Sequence, residues 1–192
     1  KNIEEIKYYL DLSNKLCLTK RELRLRIKSD EYNRLPAEVK EKLKSNEAVS
    51  ISEKVPSPVV LQNLKINGEL TEKIVQKWID ENPTLFCESL GDGYTYVKSQ
   101  YKIKIGANYN YIDVLLFNVV DLNYVVVEIK VTELKKEHIG QIQTYMNYID
   151  INLRKEFHNK TAGILLVREN NKWLIKYVNN NDIVVREFIT SN

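Results

Sequence analysis

Three charged side chains stand inside runs of residues that otherwise build the interior of a sheet. Asp113 lies in Tyr111-Ile112-Asp113-Val114-Leu115-Leu116-Phe117, while Glu128 and Lys130 lie in Tyr124-Val125-Val126-Val127-Glu128-Ile129-Lys130. β-Branched and aromatic runs of this length, separated by a polar turn centred on Asp121 and Asn123, predict a hairpin. Side chains two apart share a strand face, which groups Asp113 with Tyr111 and Leu115, and Glu128 with Lys130, Val126 and Tyr124. A two-residue turn at Val120-Asp121 sets Asp113 opposite Glu128; a four-residue loop over residues 120–123 sets it opposite Lys130. Either register keeps Asp113 within about 5–8 Å of both partners. Two carboxylates and an ammonium among Val, Ile, Leu and Phe are costly to bury, so the chemistry on offer is that of a charge pair or a metal site. A Glu-x-Lys pair alone is at home on a solvated strand face. Here both faces of the runs are apolar, as in a central strand, and that favours a site.

The elements around these residues follow from periodicity and punctuation. Residues 3–16 carry apolar positions at helical spacing, with a break near Cys17 and Leu18. Thr19 and Glu22 form a capping box that opens a second helix, expected to end before Leu35-Pro36, and a third short helix spans residues 36–44. Residues 45–58 lack period and end in two prolines, the best candidate for a linker. A helix is expected over residues 69–80, with Leu70, Ile74, Trp78 and Leu85 on its buried stripe and an interruption at Asn82-Pro83. Glu88 follows, then the Gly91-Asp92-Gly93 turn and a strand from Tyr94 to Ile105. With the hairpin this makes an antiparallel meander. A helix over residues 136–154 carries Ile139, Ile142, Met146, Ile149 and Leu153 as its apolar stripe, with Gln141 and Tyr145 on a separate edge. Strands are expected at residues 161–167, 173–178 and 183–188. The long helix before the first of these allows it to pair parallel with the third meander strand.

Composition narrows the class. The 192 residues are 43% hydrophobic and 29% charged, as in a globular protein. No apolar run approaches the roughly 20 residues that span a bilayer, and no signal peptide is visible, so no membrane partner and a cytoplasmic location are expected. Cys17 and Cys87 make neither a disulfide framework nor a zinc knuckle and are expected to be small buried thiols. His138 and His158 lack metal-ligand spacing and are expected to face solvent. The only methionine is Met146 and the chain begins with Lys1, so an excised fragment is expected: a truncated N-terminal helical segment and linker over residues 1–58, and a second domain over 59–192. Between Lys15 and Lys44 ten Lys or Arg face five Asp or Glu. Within that stretch Arg21, Arg24 and Lys28 form one basic helix face, either solvated or in contact with phosphate.

The order is helix with Glu88, strand, strand with Asp113, strand with Glu128-x-Lys130, helix with Gln141, strand. It resembles the PD-(D/E)XK nuclease superfamily. Within it, Gly91-Asp92-Gly93-Tyr94, Ser99-Gln100-Tyr101, Tyr111 to Phe117, Val127-Glu128-Ile129-Lys130 and Gly140-Gln141-x-x-x-Tyr145-x-x-Tyr148-x-Asp150 together resemble a bacterial YhcG-like nuclease family. The resemblance covers about residues 69–178, and Arg21 to Ile27 resembles the end of that family's N-terminal helical domain. Ile112 stands where the superfamily's name has Pro.

The resemblance implies an α/β fold: a restriction-endonuclease-like αβββαβ core with a mixed sheet flanked by helices, behind a small N-terminal helical segment. It also implies Mg²⁺ or Mn²⁺ as cofactor, held by Asp113, Glu128, the Ile129 carbonyl and Glu88. Lys130 would orient water or neutralise phosphate, and Gln141 would support the site. The implied activity is endonucleolytic hydrolysis of DNA, branched or foreign DNA included. Lys104, Lys135, Lys136 and Tyr145 join Arg21, Arg24 and Lys28 as expected nucleic-acid contacts. A net charge of only +3 gives no broad electrostatic footprint, so a homodimer or further N-terminal sequence is expected to supply part of the grip. Two other readings stand beside this one: a catalytically idle nucleic-acid-binding module, and an oligomerising interaction protein with structural carboxylates.

Overall fold

A computed structural model describes residues 2–28, 30–45, 47, 49, 52–66, 68–169 and 182–191. The chain divides into two compact units, Lys1–Val49 and Ser50–Asn192. The first is helical: α1 (Ile3–Leu16), α2 (Lys20–Lys28), α3 (Glu31–Arg34) and α4 (Ala37–Lys44). The capping box forms as its residues dictate, with the Thr19 amide donating to Glu22 Oε2 at 2.7 Å and the Glu22 amide to Thr19 Oγ1 at 3.3 Å. Instead of running to Leu35, the second helix ends at Lys28, and Asp30 in the left-handed region (φ 56°) starts the separate α3. Tyr8, Tyr9, Leu12, Tyr32, Leu35 and Val39 form the core of this unit. Arg21, Arg24 and Lys28 are exposed on α2. Cys17 is exposed, contrary to expectation, because it occupies the left-handed C-cap of α1 rather than a packed face.

The second unit begins earlier than the expected boundary at residue 59. Ser52–Lys54 form a 3₁₀ turn and Val55 is fully buried. Arg186 donates from Nε to the Val55 carbonyl and from Nη2 to the Glu53 carbonyl, both at 2.8 Å. The prolines that suggested a linker instead lead into β1 (Val59–Gln62), a strand too short for its periodicity to show in the sequence. The remaining elements are α5 (Glu72–Glu81), α6 (Pro83–Leu90), β2 (Tyr94–Ile105), β3 (Asn108–Asn118), β4 (Asn123–Glu133), α7 (Lys136–Asn152), β5 (Ala162–Glu169) and β6 (Ile183–Ser191). The strand expected at residues 173–178 lies outside the described residues.

The six strands form one mixed sheet in the order β1-β6-β5-β4-β3-β2. β2, β3 and β4 are the antiparallel meander, while β4, β5, β6 and β1 run parallel. Helices cover both faces, as unbroken apolar runs such as Val125-Val126-Val127 and Ile164-Leu165-Leu166-Val167 require. On one face Val75, Trp78 and Ile79 of α5 and Phe86 and Leu90 of α6 pack against Val114, Val127, Ile129 and Ile164. Leu85, expected in that stripe, is 37% exposed. On the other face Ile142, Tyr145, Met146 and Ile149 of α7 pack against Leu115, Val126, Leu165 and Val167.

Two local devices fix α7. The Asp150 carboxylate accepts from the Thr161 amide at 3.0 Å and its hydroxyl at 2.7 Å, tying the helix end to the entry of β5. Gly163 lets the helix approach the strand, since a Cβ there would stand 2.7 Å from Met146 Sδ and 3.0 Å from Ile142 Cδ1. Neither histidine is fully exposed. The His158 ring packs among Phe117, Tyr124 and Phe157, and His138 Nδ1 accepts from the Lys135 amide at the start of α7. No helix among the described residues is long and apolar enough to cross a membrane. Replacing Gly163 with Val should overpack the α7–β5 contact and lower unfolding free energy by about 1–3 kcal/mol, read from urea denaturation followed by circular dichroism.

Candidate active site

The β3–β4 ladder pairs Asn118 with Asn123 at the turn and runs to Val114 with Val127. This register is the one that sets Asp113 opposite Glu128. The turn is tied by Asn118, whose Oδ1 accepts from the Val120 and Asp121 amides at 2.9 and 3.0 Å. Past Val114 the two backbones cease to pair, and side chains replace the ladder. The Ile129 amide donates to Asp113 Oδ2 at 2.9 Å, and the Asp113 amide donates to Glu128 Oε1 at 3.4 Å. Each acid thus satisfies a backbone donor that the parted strands would leave open.

The distortion reaches the neighbouring strand. β2 shifts register between Tyr96 and Lys98, and Gln100 sits in the left-handed region at φ 47°. Its side-chain amide donates to Asp113 Oδ1 at 3.3 Å and to Gln76 Oε1 of α5 at 3.2 Å. Strand alternation slips by one residue here: Ile112 and Leu115, three apart, both pack on the α7 side. Asp113 is thereby turned toward α5. It lines a cavity of about 490 Å³ together with Glu72, Lys73, Gln76, Lys77 and Asp80 of that helix, Gln100 and Ile129.

Glu128 is 1% exposed. Lys130 Nζ lies 3.6 Å from Glu128 Oε2 and 3.9 Å from Glu72 Oε2. Burial raises both carboxyls above their ordinary range, and the Asp113 charge pushes Glu128 further, to about 8; Lys130 opposes the rise at each. Two acids and one ammonium therefore meet as expected, with more negative charge than the lysine offsets.

The helical layers supply partners other than those expected. Glu88 is exposed on α6 and is not part of the cavity wall. The acid beside Lys130 is Glu72, in the first turn of α5, where Thr71 caps the helix through its hydroxyl and the Ile74 amide. Nothing in residue type separates Glu72 from Glu69, Glu81 or Glu88; the packing of α5 over β4 decides it. Gln76 and Gln100 were likewise without a role, although Gln100 falls within a motif that carried the resemblance.

Gln141 is half-buried and donates from Nε2 to the Tyr145 hydroxyl at 3.0 Å. Tyr145 is 6% exposed, which rules out the surface contact with nucleic acid expected of it. Burial pushes its phenol up, the Gln141 bond opposes this, and the Glu128 and Asp113 charges push it further up. The place of Tyr145 among Ile142, Met146 and Ile149, at helical spacing, was the available signal. Lys135 and Lys136 are exposed at the start of α7, and Lys104 is exposed on β2.

With this geometry in hand, comparison with known proteins is direct. A family model described as the YhcG PDDEXK nuclease domain matches residues 52–191. The Escherichia coli (strain K12) protein named "Putative nuclease YhcG" is 25% identical over 115 residues, which are 60% of this chain and 31% of that protein. The chain thus spans under a third of that relative's length. Among solved structures, a repair endonuclease from Pyrococcus abyssi is 19% identical and matches 67% of this chain and 50% of its own, with a TM-score of 0.42. A complex of EndoMS with double-stranded DNA is 21% identical over 67% of this chain and 48% of its own, also at 0.42. The family match takes in the whole sheet, both helical layers and the acids parted from their ladder, and on it this chain belongs to the YhcG PDDEXK nuclease domain family.

Proposed function

We propose that the second unit is a divalent-metal-dependent endonuclease that hydrolyses DNA phosphodiester bonds. The observation that carries this reading is the meeting of Asp113, Glu128 and Lys130 where the β3–β4 ladder opens, with Asp113 on the wall of the cavity and Glu128 and Lys130 behind it. Among the described residues no three His, Cys, Asp or Glu side chains cluster closely enough to enclose an ion. The donor set would be the two carboxylates and the Ile129 carbonyl, with water at the other positions. That set fits Mg²⁺ or Mn²⁺, hard cations bound through oxygen, the first of which keeps several waters. The raised carboxyls support the fit, because burial, and at Glu128 also the Asp113 charge, disfavours their ionised forms, and a bound cation would oppose both effects.

A bound ion would supply Lewis-acid polarisation of the phosphodiester and activation of water. The chain's own groups do the rest. Lys130, 14% exposed at its side chain and held between Glu128 and Glu72, presents a compact positive charge to a phosphate oxygen or orients the attacking water. Glu72, rather than Glu88, is the helical acid close enough to take part. Gln100 and the Ile129 amide fix the Asp113 carboxylate from two sides, and Gln141 holds the Tyr145 hydroxyl as a positioning residue. Lys135 and Lys136, with Arg21, Arg24 and Lys28 of the first unit, would contact phosphates as positioning charges.

Incubating the chain with supercoiled, linear, branched and single-stranded DNA should give cutting that needs Mg²⁺ or Mn²⁺ and stops with EDTA. Asp113→Ala should lose more than about 100-fold, the upper end for loss of a mere supporting group; equal cutting by that variant would expose a contaminant and sink the reading. A second measurement uses stability. Glu128→Gln removes a carboxyl whose ionised form the fold disfavours and should raise the metal-free unfolding free energy by about 1 kcal/mol at pH 9, above the point at about 8 where Glu128 ionises in the fold. Wild type should gain about 2.7 kcal/mol from Mn²⁺ at one hundred times its Kd, and the variant much less.

A further inference from the structure

The distal half of the β2–β3 hairpin carries a set of residues that the site itself does not use. Beyond Asp113, Ile103 and Ile112 are buried on the α7 side, with Tyr101 and Ile105 packed beside them. Alternation therefore turns Gln100, Lys102 and Lys104 of β2, and Asp113, Tyr111 and Tyr109 of β3, toward the opposite face. Gln100 and Asp113 line the cavity on that face. Further out, Lys102 pairs in register with Tyr111, and Lys104 with Tyr109. Tyr111 is 48% exposed and Tyr109 58% exposed. Lys102 Nζ stands 3.8 Å from the Tyr109 ring centroid and Lys104 Nζ 5.9 Å. α5 meets β2 no further out than Ser99 and Gln100 in the bonds made by Gln76.

We propose that this face binds an unpaired DNA strand, whose bases stack on Tyr111 and Tyr109 and whose phosphates meet Lys102 and Lys104, and leads it into the cavity at Asp113. The proposal deepens the nuclease reading and rests on it for the cutting step. Charge complementarity favours this occupant: Lys102 and Lys104 stand on this face and residues 94–112 contain no Asp or Glu, so the face outward of Asp113 is positive in a chain that is near neutral as a whole. Continuity favours it too, since the same strand face passes from the tyrosines to the acid without a break.

The choice of a single strand over a duplex follows from the aromatics. Lysines would serve either form, but a tyrosine face gains stacking only from a base that has left its own stack. Successive Lys–Tyr pairs along the strands are about 7 Å apart, two residues of strand rise. An extended strand with splayed bases can follow that spacing, whereas B-form bases rise about 3.4 Å. The expected substrate is thus DNA with an unpaired stretch next to the cut.

The test uses the full chain with fluorescein-labelled oligo(dT) and a blunt duplex of equal length, in EDTA so that binding is read without cutting. Tyr109→Ala/Tyr111→Ala should weaken oligo(dT) binding about 30-fold or more and leave duplex binding within about twofold, while Tyr109→Phe/Tyr111→Phe stays near wild type. Lys102→Gln/Lys104→Gln should lower the slope of log K against log salt by about 1.4. Unchanged oligo(dT) binding by the Ala pair, equal loss on duplex, or loss by the Phe pair would overturn the proposal. So would a wild-type dimer that the Ala pair converts to monomer on sizing, since the face would then cover a second copy. Asp113→Ala keeps the two readings separable: in EDTA it should bind oligo(dT) at least as tightly as wild type, because it removes a charge that repels phosphate, and its cutting result judges the nuclease reading alone.

Discussion

Beyond Val114 and Val127 the central hairpin stops pairing, and the site is a consequence of how that opening is closed. Backbone donors freed inside a sheet must find acceptors. Here they find the two acids, Asp113 taking the Ile129 amide and Glu128 the Asp113 amide. The same bonds that repair the ladder orient the carboxylates, so the geometry of the pair is set by strand backbone rather than by flexible side-chain torsions. Lys130, two residues along β4, inherits its place from the same register. A site held this way is preorganised by the fold's strongest constraint, the rigid central strands between two helical layers.

That constraint has a cost. Glu128 is almost wholly enclosed, and Lys130, the cation beside it, is shared with Glu72. Replacing such a group with an apolar residue of similar size is often neutral or stabilising for a fold, so its presence is better explained by chemistry than by stability. Asp150 makes a useful contrast. It too is an acid bonded to backbone, but its partners, the Thr161 amide and hydroxyl and Arg154, fully account for it as a tie between α7 and β5.

Much of this was legible in the sequence because it depends on period-two alternation and on runs too apolar to lie at a surface. Asp113, Glu128 and Lys130 converge in either register that the turn allowed, so the convergence did not wait on knowing the turn. What was not legible depends on packing between elements. The acid from the helical layer is Glu72 rather than Glu88, because α5 and not α6 passes beside Lys130. The left-handed Gln100 and the slipped alternation at Asp113 leave no compositional trace, since neither residue is a glycine and the strand runs unbroken on both sides. Residues 52–58 looked like a linker because what holds them is distant in sequence: Val55 packs into the core of the sheet, and Arg186, more than a hundred positions away, bonds the Val55 and Glu53 carbonyls.

The distribution of charge explains how a chain of net +3 could present two buried acids to a polyanion. Positive charge is concentrated rather than spread. Lys73 and Lys77 of α5 stand on the cavity wall beside Asp113, interleaved with Glu72 and Asp80, while the hairpin outward of Asp113, residues 94–112, carries lysines without acids. Carboxylates alone would repel a phosphate. With Glu72 and Asp80 on the same wall, the acids would repel a phosphate unless a metal ion intervened, while screening at physiological salt over about 8 Å limits any attraction to what lies close by. If the site cuts DNA, such a field would select a backbone already at the mouth of the cavity more than recruit one from a distance, and the local shape of the strand, rather than the chain's total charge, would govern entry.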